Sequence, residues 1–103
     1  MDTHLPFRAA TACNVFAAYK KCAWCGKRIV NTRFDRHHWC IKRGKLPPAR
    51  FGEIDLVVNV VPLHTECHAE YGQSQEMEER CAALVEKRFG AEITQQFKEA
   101  IWR

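Results

Sequence analysis

Apolar residues recur at helical spacing in two stretches and crowd into short β-rich runs between them. Towards the end of the chain Met77, Cys81, Leu84 and Val85 fall at i, i+4, i+7 and i+8, and Ile93, Phe97, Ala100 and Ile101 repeat that spacing. Gly90 interrupts the pattern, which predicts a helical hairpin over about 74–102. Near the start, Val15, Phe16 and Tyr19 line one side of Thr11 to Lys21, a short predicted helix with Thr11 as its N-cap. Arg28 to Trp39 favours extended structure through Ile29, Val30, Thr32, Phe34 and Trp39. Gly44, Pro47 and Pro48 mark a loop over Gly44 to Phe51. Leu56 to Val61 reads as a short strand stopped by Pro62. Thr65 is placed to cap a helix through His68 towards Tyr71, ended by Gly72. The order of helix, turn, strand, loop, strand and three helices predicts an α+β fold. No linker or repeat divides it, so residues 1–103 read as one domain, with a core over about 22–72.

Charge sharpens this picture. The formal net charge is +4, but the positive residues are concentrated: Lys20, Lys21, Lys27, Arg28, Arg33, Arg36, Lys42, Arg43, Lys45 and Arg50 face only Asp35. From Phe51 onward, acidic residues outnumber basic ones. A basic half on a small protein suits a polyanion such as nucleic acid, although a solvated face gives the same pattern. The first eleven residues carry Asp2, His4 and Arg8 and no long apolar run, so neither a signal peptide nor a membrane span is expected, and the chain is placed in the cytoplasm. In a reducing compartment six cysteines read as metal ligands and buried thiols rather than disulfides.

Cys22 and Cys25 have the spacing that lets two thiolates grip one zinc ion from a tight turn, and His64 and Cys67 offer a second pair at the same spacing. Together they predict a structural zinc tying the start of the hairpin to the helix after it. His37 and Cys40 form a rival second pair, closer in sequence, which would leave His64, Cys67 and His68 unexplained. Cys13 and Cys81 have no partner at this spacing, and Cys81 falls on the apolar face of its helix.

The run Asp35-Arg36-His37-His38-Trp39, followed by Asn59-Val-Val-Pro-Leu-His64-Thr-Glu-Cys67-His68, resembles the HNH endonuclease family. The preceding CxxC resembles its zinc-bearing branch, and a small free-standing chain resembles the phage-type members. The resemblance spans Cys22 to Tyr71, roughly half the chain. It implies a ββα-metal finger with structural zinc, packed here by the N-terminal helix and the C-terminal hairpin. It implies His38 as general base, His37 and His68 as ligands of a catalytic divalent ion, and Asn59 as the catalytic-site Asn that braces a loop through its amide. His64 stands where many members have Cys. Some members carry a further His where this chain has Gly72, so only two protein ligands remain for the catalytic ion.

The chemistry suits these residue types. A phosphodiester repels hydroxide, and a divalent cation offsets charge on its oxygens and on the leaving 3′-oxygen. A neutral imidazole can take a proton from water near neutral pH. Two imidazoles match Mn²⁺, Ni²⁺, Co²⁺ or Zn²⁺ better than Mg²⁺, although many HNH enzymes work with Mg²⁺. Arg36, Lys42, Arg43, Lys45 and Arg50 are the expected phosphate contacts on DNA. Trp24 and Trp39 flank the site, with Trp39 expected in the core. Two other functions remain open: a non-catalytic zinc-finger module binding DNA or RNA, and an interaction protein docking a larger partner through its C-terminal hairpin.

Overall fold

The first helix begins where the sequence offers a hydroxyl. In the computed structural model, which describes residues 5–30 and 33–101 except the side chains of Arg43, Phe51 and Ile101, helix α1 runs Ala12–Tyr19. Thr11 Oγ1 accepts from the Asn14 N–H at 3.1 Å, as the cap requires. Lys20 closes the helix in the left-handed region, φ 61°, and its N–H donates to Phe16 O. Tyr19 is anchored by a hydrogen bond from its hydroxyl to Val57 O and packs edge-on to Phe89.

Two antiparallel strands form the only sheet among the described residues: β1, Asp35–His38, and β2, Val60–Leu63, with His37 opposite Val61 and His38 opposite Val60. The extended stretch expected over Arg28–Trp39 is therefore much shorter, because β2 offers only these four residues as partners. Before it lies an isolated bridge of Arg28 to Lys21, and Thr32 falls outside the described residues. Pro62 does not stop the second strand but lies inside it, opposite Arg36. Its carbonyl turns outward to the Ala23 N–H, so its missing N–H lies on the side facing away from β1, where the ladder loses nothing. The residues before it, Val57–Asn59, form a 3-10 turn instead of strand.

Between the strands the basic loop folds into 3-10 turns at Arg43–Lys45 and Pro48–Arg50 and one helical turn, α2, Phe51–Ile54. After β2 comes α3, Thr65–Tyr71. Its N-cap is His64 rather than Thr65, with no side-chain capping bond, and the His64 N–H donates to Cys22 Sγ at 3.4 Å. Thr65 instead donates its hydroxyl to Asp35 Oδ1 at 3.2 Å.

The helical hairpin is α4, Gln75–Phe89, and α5, Ala91–Ile101. Ser74 caps α4 by accepting from the Met77 N–H, with Glu76 and Glu78 in the first turn and Lys87 and Arg88 in the last, as the helix dipole favours. Gly90 turns the chain at φ 95°, a conformation costly for any side chain. Met77, Cys81 and Val85 are fully buried, while Leu84 is only partly so. They join Val15, Ile29, Ile41, Ile54, Phe97 and the four valines and leucine of 57–63 in one hydrophobic cluster. Both faces of β2 are thus covered, which is why its sequence is a continuous apolar run. Among the described residues no helix is long and apolar enough to cross a membrane.

Candidate functional site

The turn after α1 brings Cys22 and Cys25 beside the junction of β2 and α3, where His64 and Cys67 lie. The ligand atoms of Cys22, Cys25, His64 and Cys67 all fall within 4.8 Å of one another, so this Cys3His group could hold a metal ion. Cys25 Sγ lies 3.2 Å from His64 Nδ1. Cys22 is 2% exposed, and all six cysteines are free thiols. The rival pair of His37 and Cys40 is not drawn into this group. The electrostatics fit a cation. Against the opposing effect of burial, N–H groups of Cys25, His64 and Trp24 hold the Cys22 thiol below its usual range. Burial, followed by the neighbouring Cys22 sulfur, pushes Cys67 up to about 12. Thiolates gathered this closely repel one another, and a divalent cation removes the conflict.

The turn is clamped from outside. Trp24 stacks on Tyr71 with ring centroids 4.3 Å apart, Arg80 lies 4.1 Å over the Trp24 ring, and the same guanidinium donates to Trp24 O at 2.7 Å. Trp24 is therefore engaged by α3 and α4. Trp39 is core, as expected: it is 5% exposed and its indole N–H donates to Val58 O.

A second cluster surrounds the end of β1. His37, His38 and His68 line one open cavity of about 200 Å³ together with Arg36, Lys42 and Gln73. Adjacent residues on a strand point to opposite faces, so a shared site demanded a strand end or a bulge. His38 is the last residue of β1, and no bulge is needed. The His37 and His68 ring centroids are 5.1 Å apart. His37 is 4% exposed, and its Nε2 is buried without a hydrogen-bond partner among the described residues. Burial, then the Lys42 charge and the His68 and His38 rings, lower its pKa to about 4, so the ring is neutral at physiological pH. An orphaned buried nitrogen is costly unless a cation or a donor reaches it.

Two carboxylates complete the cluster, and sequence reasoning gave neither a role. Asp35 Oδ2 lies 2.9 Å from His68 Nδ1. Asp35 precedes His37 by two positions on β1, so strand alternation already places them on one face. Asp55 Oδ1 lies 2.5 Å from His38 Nε2, and nothing in the sequence announces that contact. No second group of three or more metal-ligating residues closes to the spacing of the Cys3His set among the described residues.

Asn59 does not line the cavity. It is fully buried, and its Oδ1 accepts from the Cys40 and Ile41 N–H groups at 3.2 and 3.0 Å. Its Nδ2 donates to Ile41 O and Ile54 O at 3.0 and 2.9 Å. It thereby fastens the segment leaving β1 to the turn before β2.

The basic residues divide. Lys42 reaches the cavity and donates to His38 O at 2.5 Å. Arg36 is exposed, with one guanidinium nitrogen on Ala10 O. Lys45 is exposed, and Arg50 pairs with Glu53 at 2.7 Å. The side chain of Arg43 lies outside those described. At Gly72, an added Cβ would stand 2.5 Å from His68 O and 2.8 Å from His68 Cδ2. The glycine is thus required by the position of His68.

No family model, curated protein or solved structure matches this chain.

Proposed function

We propose that this protein is a metal-dependent DNA endonuclease of the HNH type, a ββα-metal finger built from β1, β2 and α3 and stapled by zinc at Cys22, Cys25, His64 and Cys67. The observation that carries the reading is the convergence of His37, His38 and His68 on one open cavity, with His37 Nε2 buried and unpartnered among the described residues.

His37 and His68 would hold a divalent ion, which supplies positive charge against the leaving 3′-oxygen when bound. The donor set fits: His37 is held neutral, and Asp35 on Nδ1 of His68 leaves its Nε2 as the nitrogen for a cation. His38 acts as general base, taking a proton from the attacking water. The new bond joins the water oxygen to phosphorus, the P–O3′ bond breaks, and solvent protonates the departing oxygen. Lys42 and Arg36 hold the scissile phosphate at the cavity rim, and Lys45 engages a flanking one. Asn59 keeps the segment carrying Lys42 in place from within the core.

The basic stretch and the Cys3His group would also serve a binding module without catalysis. That reading is favoured by the carboxylates already bonded to His38 and His68. Nicking of supercoiled plasmid separates the two. The zinc-loaded nuclease converts plasmid to open circle only when a second divalent metal is restored. A binding module retards the plasmid and never cuts it.

A further inference from the structure

His38 stands between two cavities. One is the cavity shared with His37 and His68. The other, of about 380 Å³, is lined by His38, Asp55, Arg36, Thr11 and Val60, together with Ala9 and Ala10. The ring therefore borders the proposed reaction site while Nε2 is engaged by Asp55 Oδ1 at 2.5 Å. Asp55 is itself tied down, since its carbonyl accepts from the Ala10 N–H at 2.7 Å.

We infer that Asp55 is the positioning residue for the proposed base, fixing both the tautomer and the orientation of His38; the inference rests on the nuclease reading. An ionised carboxylate can only accept, so this bond requires the proton on Nε2. A neutral ring then carries its lone pair on Nδ1, the nitrogen left to take the water's proton. When that proton arrives the ring becomes cationic, and the carboxylate beside Nε2 offsets the new charge. Without the carboxylate the ring divides between tautomers and rotates, so a smaller fraction is competent. The link joins positions 38 and 55 through a tight contact. A merely structural bond would hold the same tautomer but would leave kcat untouched in a variant that still folds, and the cleavage arm of the test uses that difference.

The test has two arms on the full-length, zinc-loaded protein. In the first, ¹⁵N–¹H spectra of the histidine rings are recorded at mildly alkaline pH, where imidazole is neutral, with His38→Ala assigning the His38 signals. The parent is expected to show His38 with its proton on Nε2, and Asp55→Asn and Asp55→Ala to show a tautomer mixture. In the second, plasmid cleavage is followed at saturating divalent metal. Asp55→Asn is expected to lower kcat by about 10–10³-fold, within the range of general-base effects, with KM unchanged. Asp55→Glu should restore part of the loss, and melting curves control for folding. A parent His38 protonated on Nδ1 overturns the inference even if every Asp55 variant unfolds. A cutting parent whose Asp55→Asn variant keeps its kcat overturns it while leaving the nuclease reading intact. A parent that shows the Nε2 proton but never cuts under any metal overturns the nuclease reading, and with it the role given to Asp55.

Discussion

Replacing Asn59 with Ala should be the most damaging single change that leaves both metal-ligand sets untouched. The Asn59 amide makes four hydrogen bonds to backbone groups of Cys40, Ile41 and Ile54, and the residue is fully buried. Alanine leaves those backbone groups without partners. Each orphaned buried polar group costs about 1–3 kcal/mol. Cys40 is only partly buried, so its N–H can recover a water. Ile41 and Ile54 are within the core, and their groups lack that route. The net loss is then roughly 3–5 kcal/mol, a large share of the ~5–15 kcal/mol that holds a domain folded. For a domain near this size it corresponds to a fall in Tm of roughly 15 °C or more. Urea unfolding of the zinc-loaded protein, followed by circular dichroism, measures it. Asn59→Asp is the companion variant, since it keeps the shape but turns a carboxylate oxygen towards two carbonyls, and it should also destabilise. A loss below about 1 kcal/mol in Asn59→Ala, with zinc retained, would refute the argument that this amide fastens the two segments.

Three further outcomes follow from the same geometry. Cys25→Ser should abolish tight zinc binding at the Cys3His group and unfold the domain, since structural zinc contributes about 10–16 kcal/mol in small zinc domains; metal analysis and melting curves check it, and a folded variant without zinc contradicts it. Gly72→Ala should displace His68, because the added Cβ meets that residue's carbonyl and ring at 2.5 and 2.8 Å. Calorimetry should show weakened binding of the second divalent ion, with the zinc content unchanged. Changing Lys42 and Lys45 together to Ala should flatten the salt dependence of DNA binding, by about 0.9 in log–log slope for each phosphate no longer neutralised; an unchanged slope means that other residues grip the backbone.

How far the sequence could be read depended on where each residue's partner lay. Thr11 acts within one turn of itself, and Gly90 through its own backbone, so the start of α1 and the break within the hairpin were legible, whereas the end of α1, closed by Lys20 before the expected Lys21, was not. The apolar face of α4 was visible because helix burial follows a fixed period; on α5 Phe97 is buried and Ile93 partly so, but Ala100 is exposed, Thr94 is buried in its place, and the side chain of Ile101 lies outside those described. Cys22, Cys25, His64 and Cys67 were legible as two pairs, because ligand spacing encodes the chelating turn. The strands were not. Ile29 and Phe34 have β-forming side chains, but strand pairing is fixed by β2, and only residues 35–38 find it. Pro62 looked like a terminator, yet its place in the ladder decides whether a missing N–H costs anything. Asp55 was hidden for the same reason: its contact with His38 exists only once the loop between them has folded. The cap of α3 falls on His64, and the Thr65 hydroxyl that the sequence offered is bonded to Asp35, thirty residues away in the chain.

The most direct test of the nuclease reading is plasmid cleavage rate against divalent metal concentration for the parent and for His37→Ala, His38→Ala and His68→Ala, each with its zinc content and melting curve. All three variants should keep their zinc and their fold. His38→Ala should lose about 10²–10⁴-fold in rate at every metal concentration, as loss of a general base does. His37→Ala and His68→Ala should need far more metal and recover part of their rate with Mn²⁺. Release of the structural zinc by His37→Ala or His68→Ala would contradict the division of ligands between the two sites. Equal cleavage by all four proteins, or cleavage by none, would contradict the nuclease itself.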